Sequence, residues 1–193
     1  ARLEELRGRL GSLSWFMRFL NECIAREANA EDACTGRFWE GRYRCQALLD
    51  EAAVLACLSY VDLNPIRAGL ADDLEGSEFT SVHRRLEALR ARQSLREDPL
   101  RPLAGLHTDI GPAITLDGYL RLLEWTRGLS RDQKRHRALA SAPIPTGTSS
   151  ISQRWWRDRV LAIERLFGSA VGLPLTLREF AEATGRRWVR GVV

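Results

Sequence analysis

The chain has 193 residues, is 45% hydrophobic and carries a net charge of +4, enough for one large domain or two small ones. No apolar run approaches the roughly 20 residues that cross a bilayer, and Ala1–Arg18 is charged throughout, so neither a membrane span nor a secretory signal is expected. Cys23, Cys34, Cys45 and Cys57 form no Cys-x-x-Cys pair, which argues against a disulfide framework or a zinc site and for reduced thiols in the cytoplasm.

The chain begins on Ala1 and not on Met, and a fragment is expected. Residues 2–10 are helix-prone, with Leu3, Leu6 and Leu10 at spacings of three and four. Gly11 interrupts, and Ser12 or Ser14 caps a second helix. That helix carries Trp15, Phe16, Phe19, Leu20, Cys23 and Ile24 on one side and fades near Asn29–Asp32. In the next stretch Tyr43, Cys45 and Ala47 alternate with Arg42, Arg44 and Gln46. This period of two predicts a strand over 38–47, with a bend near Gly36 and Gly41.

Asp50 is placed to cap a third helix whose apolar stripe is Val54, Leu55, Leu58 and Val61. The pair Asn64-Pro65 is expected to end it, because a residue before proline avoids the helical region. Pro65 opens a further turn closed by Gly69. The acidic stretch 72–78 reads as a loop. Thr80 or Ser81 starts a helix through about Arg92, with Val82, Leu86 and Leu89 inward.

Pro99, Pro102, Gly105, Gly111 and Pro112 mark a domain boundary over 93–114. The predicted organisation is therefore a first domain over 1–92, a linker over 93–114 and a helical C-terminal domain over 115–193. Within the last, Leu116–Leu129 reads as a helix, 141–150 as a connector, and 152–167 as an Arg- and Trp-rich helix anchored by Trp155 and Trp156. The end, LREFAEATGRRWVRG, has the outline of a helix-turn-helix: an alanine-rich helix, a turn glycine and a basic segment with Arg186 and Arg187. Trp188 is the third tryptophan expected to anchor this domain.

Charge is unevenly placed. Residues 1–90 hold 12 Arg against 15 Asp and Glu, a net −3, whereas 91–193 hold 17 Lys and Arg against 10 acids, a net +7. Lys134 is the only lysine, and arginine forks suit phosphate contacts.

The most informative ten residues are YVDLNPIRAG, Tyr60 to Gly69. Tyr60 and Asn64 are four residues apart, on one face of the predicted third helix. A phenol beside an amide oxygen suits a nucleophile next to a metal ligand. Each residue also has a plain role: a half-buried aromatic at a helix end for Tyr60, an N-cap for Asn64. Arg37, Arg42, Arg44 and Arg67 flank the motif. They serve either to grip phosphates or to pair at the surface with Glu40, Asp50, Glu51 and Asp62. Trp39 and Tyr43 can stack on unpaired bases, although core packing suits Trp39 better.

The segment GRFWEGRYRCQALLDEAAVLACLSYVDLNPIRAGL, 36–70, resembles the core of the single-tyrosine transposases of the HUH class, in the branch of the REP-associated tyrosine transposases. SWFMRFLNECIAREAN, 14–29, is similar to the family helix that precedes it. LDGYLRLLEWT and FAEATGRRWVRG, within 115–191, are similar to the C-terminal extension of longer bacterial members. The resemblance implies that Tyr60 attacks a DNA phosphate and that Asn64 joins two histidines around Mg²⁺ or Mn²⁺. The product is a 5′-phosphotyrosine with a free 3′-hydroxyl, which keeps the bond energy for rejoining. A metal would assist because a free phenol, with a pKa of about 10, is a weak nucleophile.

The family's His-x-His strand has no counterpart here. His83, His107 and His136 are scattered, and one amide oxygen does not hold a hard cation that takes about six ligands. The His-x-His is expected upstream of residue 1, with the first strands of the family's sheet. The fold expected is thus α+β: a partial ferredoxin-like core lacking its first strands, then a mainly helical C-terminal region, predominantly helical overall. Two functions follow. One is a tyrosine-dependent DNA strand transferase on single-stranded or hairpin DNA, incomplete in its metal site and working as a monomer or homodimer. The other is a non-catalytic DNA-binding remnant that represses repeat sequences.

Overall fold

The computed structural model describes residues 2–91, 114–131, 152–161 and 168–189. It contains, among these, seven helices and one two-stranded sheet, so the chain is predominantly helical. The chain divides into two compact units, 1–45 and 46–193. Apart from Ile114, which is buried, the linker expected over 93–114 lies outside the described residues, as does the connector at 141–150.

The first unit holds α1 (Arg2–Leu10) and α2 (Leu13–Glu31). Both follow the predicted bounds. Glu4 pairs with Arg7 and Glu5 with Arg9 along α1, spacings that stabilise a short exposed helix. Ser12 stands at the N-cap of α2 without a side-chain bond, while the Ser14 hydroxyl bonds to Tyr43 Oη at 2.9 Å. None of residues 2–45 is buried. Phe16, Phe19, Leu20 and Ile24 thus form an apolar side of α2 that remains exposed.

The second unit is built around α3 (Glu51–Arg67). Asp50 caps it as expected, Oδ1 accepting from the Ala53 N–H at 2.8 Å. The helix does not stop at Asn64. It runs on through Pro65 because only the last turn is affected, and the bonds from Ala68 N–H to Asn64 O and from Leu70 N–H to Pro65 O close it. Gly69, at φ 72°, then supplies the left-handed turn. Of the predicted stripe, Val54 and Leu55 are buried and Leu58 packs on the core, and only Val61 departs from it. Leu55, Ser59, Asp62 and Leu63 are buried, and Val61 is 52% exposed.

The predicted strand over 38–47 is reduced to β1 (Ala47–Leu48), which pairs in parallel with β2 (Ala170–Val171). Residues 42–47 alternate in sequence, but among the described residues no strand pairs with 38–46, and alternation alone does not make a ladder. The acidic stretch 72–78 is a chain of turns that tucks Leu74 and Ser77 inward. Helices α4 (Ser81–Ala91), α5 (Leu116–Arg131) and α6 (Gln153–Leu161) follow, with residues 162–167 outside the described set. α5 and α6 both pack on α3. Val82, Tyr119, Leu122, Leu123, Trp156 and Val160 fill the core against Leu55 and Leu63. The last helix, α7 (Pro174–Ala183), begins with proline at its first position and ends at a Gly185 turn of φ 64°. Residues 186–189 form no helix, so the second element of the expected helix-turn-helix is not formed there. Trp155 and Trp156 are core anchors, but Trp188 is 72% exposed.

Candidate functional site

Asp50 at the start of α3 and Asp62 in its C-terminal half each accept hydrogen bonds from other elements of the second unit. Asp50 Oδ2 accepts from the Leu173 N–H at 2.6 Å and the Thr176 hydroxyl at 2.7 Å, so one side chain caps α3 and α7 at once. Asp62 is 1% exposed. It accepts from the Ser81 hydroxyl and from the Val82 N–H at the start of α4, and from the Tyr119 hydroxyl of α5 at 2.7 Å. Burial first, then the Asp62 charge and hydrogen bond, push the Tyr119 hydroxyl well above its ordinary pKa, against an opposing effect of Arg85. The expected surface pairing of Asp50 and Asp62 with arginines is therefore replaced by caps. A buried Asp62 was not foreseen. Its signal is its place in the series 55, 59, 62, which follows one helix face.

Tyr60, Asn64 and Arg67 lie on one flank of the C-terminal half of α3. Tyr60 is half-buried and packs its ring against the core, and Asn64 is exposed. The Arg67 Cζ lies 5.0 Å from the centre of the Tyr60 ring, and Arg67 Nη2 donates to the Leu161 carbonyl at 3.4 Å. One turn before Tyr60, burial raises the Cys57 thiol, so it stays protonated and inert.

Arg37, Arg42 and Arg44 belong to the first unit, where all three are exposed and make no ion pair among the described residues. The pairing of these three with Glu40 or Glu51 is not formed. Arg42 and Tyr43 line an open cleft of about 750 Å³ with Ser14, Arg18 and Asn21. The Arg18 Cζ lies 5.0 Å from the centre of the Trp15 ring. Trp39 is 39% exposed, edge-on to Phe38, and its indole N–H donates to the Asn21 carbonyl. Arg186 and Arg187 follow α7, both exposed, beside Arg178 and Trp188 around a cleft of about 300 Å³.

The described residues do not assemble a donor set for Mg²⁺ or Mn²⁺. Asn64 offers one amide oxygen, and among the described residues no group of three His, Cys, Asp or Glu could hold a metal ion. His83 is engaged elsewhere, its Nδ1 2.6 Å from the Glu75 carbonyl and its Nε2 3.6 Å from Glu87. His107 and His136 lie outside the described residues. No helix among the described residues is long and apolar enough to cross a membrane. Comparison with protein-family models, with curated proteins and with solved structures finds no match to the chain.

Proposed function

We propose that this chain acts in the cytoplasm on single-stranded or hairpin DNA as a protein of the single-tyrosine transposase kind, with Tyr60 as its nucleophile. On this reading the first 92 residues belong to the helical side of a ferredoxin-like core, and the C-terminal region assists DNA binding. The observation that carries the reading is the grouping of a phenol, an amide and a guanidinium on one flank of α3, with Arg67 over the Tyr60 ring. The positive charge of Arg67 beside the phenol suits an anionic phosphate. In the first unit, Arg37, Arg42 and Arg44, which make no ion pair among the described residues, suit phosphate contacts of their own.

Strand transfer would join the Tyr60 oxygen to phosphorus and release the 3′-oxygen as a hydroxyl. The test is incubation of the chain with a single-stranded hairpin and Mn²⁺, read by mass spectrometry. A phosphotyrosine adduct at Tyr60, lost in Tyr60→Phe, is the expected sign of transfer. A second reading is DNA binding without cleavage, favoured by the exposed arginines Arg186 and Arg187 after α7. It gives a salt-sensitive gel shift that survives Tyr60→Phe, with no adduct. A chain that neither forms an adduct nor shifts the hairpin sinks both.

A further inference from the structure

We infer that the cleft at the end of α7 holds single-stranded DNA, with one unpaired base stacked on the Trp188 ring and the flanking phosphates on Arg178, Arg186 and Arg187. The inference rests on the DNA-binding reading above and names the surface and the form of DNA it takes. Trp155 and Trp156 belong to the core, whereas Trp188 is 72% exposed. Its ring lines a cleft of about 300 Å³ together with Pro174, Leu177, Ala181 and Val189. Leu177 and Ala181 are buried and form an apolar floor. A large aromatic ring left in water beside such a floor gains by being covered.

Backbone chemistry at the end of α7 puts the ring there. The Arg186 N–H donates to the Ala181 carbonyl at 2.8 Å and the Gly185 N–H to the Glu182 carbonyl at 3.1 Å. These two bonds define a helix end terminated by a left-handed residue, and Gly185 supplies it at φ 64°. The chain turns back, and residues 186–189 line the cleft beside α7 instead of starting a second helix. Without a helix after the turn, this surface does not enter a major groove as a helix-turn-helix does. An unpaired base, by contrast, offers its flat face to an aromatic ring without first being drawn from a duplex stack.

Charge selects the partner. Arg178, Arg186 and Arg187 are exposed and make no ion pair or side-chain hydrogen bond among the described residues. The cleft sets these three guanidiniums against one carboxylate, Glu182. A polyanion answers the surplus, and a planar guanidinium donates two parallel bonds to phosphate oxygens. An acidic peptide would supply negative charge but no base for the ring. A strand of unpaired DNA supplies both, phosphates at a regular interval and a flat apolar face between them.

The test measures binding of the full chain to a labelled, unstructured DNA strand of about 12 nucleotides, a length of the order that single-strand binders cover, by fluorescence anisotropy. Trp188→Ala should weaken binding about tenfold, a gap of about 1.4 kcal/mol, while circular dichroism stays unchanged. Trp188→Phe should restore most of it, because a ring remains. An abasic strand of the same length keeps the phosphates and should bind the parent chain about tenfold more weakly, a comparison that needs no variant. Arg178→Gln, Arg186→Gln and Arg187→Gln should each lower the slope of log affinity against log salt by about 0.7. Equal binding of abasic and intact strands, or of Trp188→Ala and the parent, overturns the inference, as does tighter binding of duplex DNA or of polyglutamate. A Tyr60 adduct or a hairpin gel shift seen alongside any of these results leaves the DNA reading standing and removes only this cleft. Failure to bind any DNA removes both.

Discussion

Tyr119 donates its hydroxyl hydrogen to Asp62 at 2.7 Å in the core of the second unit, joining α5 to the helix that carries Tyr60. Asp62 stands two residues after Tyr60, so the bond that organises the core and the side chain offered for chemistry share one turn of α3. A charge buried this deeply is tolerated because hydroxyl and backbone donors surround it. Replacing Asp62 with alanine strands the Ser81, Val82 and Tyr119 donors. Hydrogen bonds to a charged group contribute about 1.5–3 kcal/mol each, so Asp62→Ala should lower stability by about 3 kcal/mol or more in urea unfolding. Asp62→Asn, which keeps an acceptor oxygen, should fall between. A loss under about 1 kcal/mol in the alanine variant would mean the donors find water instead.

The same pair predicts a pH dependence. Tyr119 has its pKa raised by burial and by Asp62, so the folded state holds its proton more tightly than the unfolded state. Below about pH 10, the ordinary tyrosine value, both states are neutral and the contribution is complete. Above it the unfolded chain loses the proton first, binds fewer protons than the folded chain, and stability falls as pH rises. Tyr119→Phe should therefore be less stable than the parent at pH 8 and lose less on going to pH 11. Urea midpoints across that interval read the difference. Parallel curves for the two proteins would show that Tyr119 does not control the alkaline limb.

Much of this architecture is legible in the residues, and the misreadings have physical causes. Local signals held. The leucine spacing of α1, the Asp50 cap and the Gly69 turn each act within a few residues. What required distant partners did not. The alternation around Tyr43 predicts a strand, but the only ladder partner among the described residues is Ala170–Val171, more than a hundred residues away, and it meets only Ala47–Leu48. Val61 fits an apolar stripe on hydrophobicity alone. Once Asp62 is buried against α4 and α5, the helix turns Val61 to solvent. The i, i+4 relation of Tyr60 and Asn64 was readable, and Arg67 completes it one turn on.

Gly172 gives a test of the second aspartate cap. A Cβ at this position would sit 2.6 Å from the Thr176 hydroxyl, 3.0 Å from Asp50 Oδ2 and 3.1 Å from Leu49 Cβ. All three are fixed, two of them by the Asp50 bonds to Thr176 and the Leu173 N–H. Gly172→Ala should cost about 1–3 kcal/mol, the usual range for overpacking. In the Thr176→Ala background the methyl gains room, so the two changes together should cost less than their sum. A double-mutant cycle by thermal unfolding measures this, and strict additivity would show that the clash is relieved elsewhere.

Arg159 should behave in the opposite way, its removal raising stability. The residue is 1% exposed, and none of its three side-chain nitrogens has a hydrogen-bond partner. Its Cζ lies 5.2 Å from the centre of the Trp155 ring. Burial lowers its pKa to about 10, partly opposed by Asp158, so the group is still charged at neutral pH and the folded state bears the cost. Replacing a buried charge with an apolar side chain of similar volume often stabilises by about 1–4 kcal/mol. Arg159→Met should thus raise the urea midpoint at pH 7. Because the folded pKa is the lower one, the parent gains stability as pH rises through about 10. The advantage of the methionine variant should therefore narrow over that interval. A methionine variant less stable than the parent at pH 7 would show that the guanidinium is held by an interaction that offsets its burial.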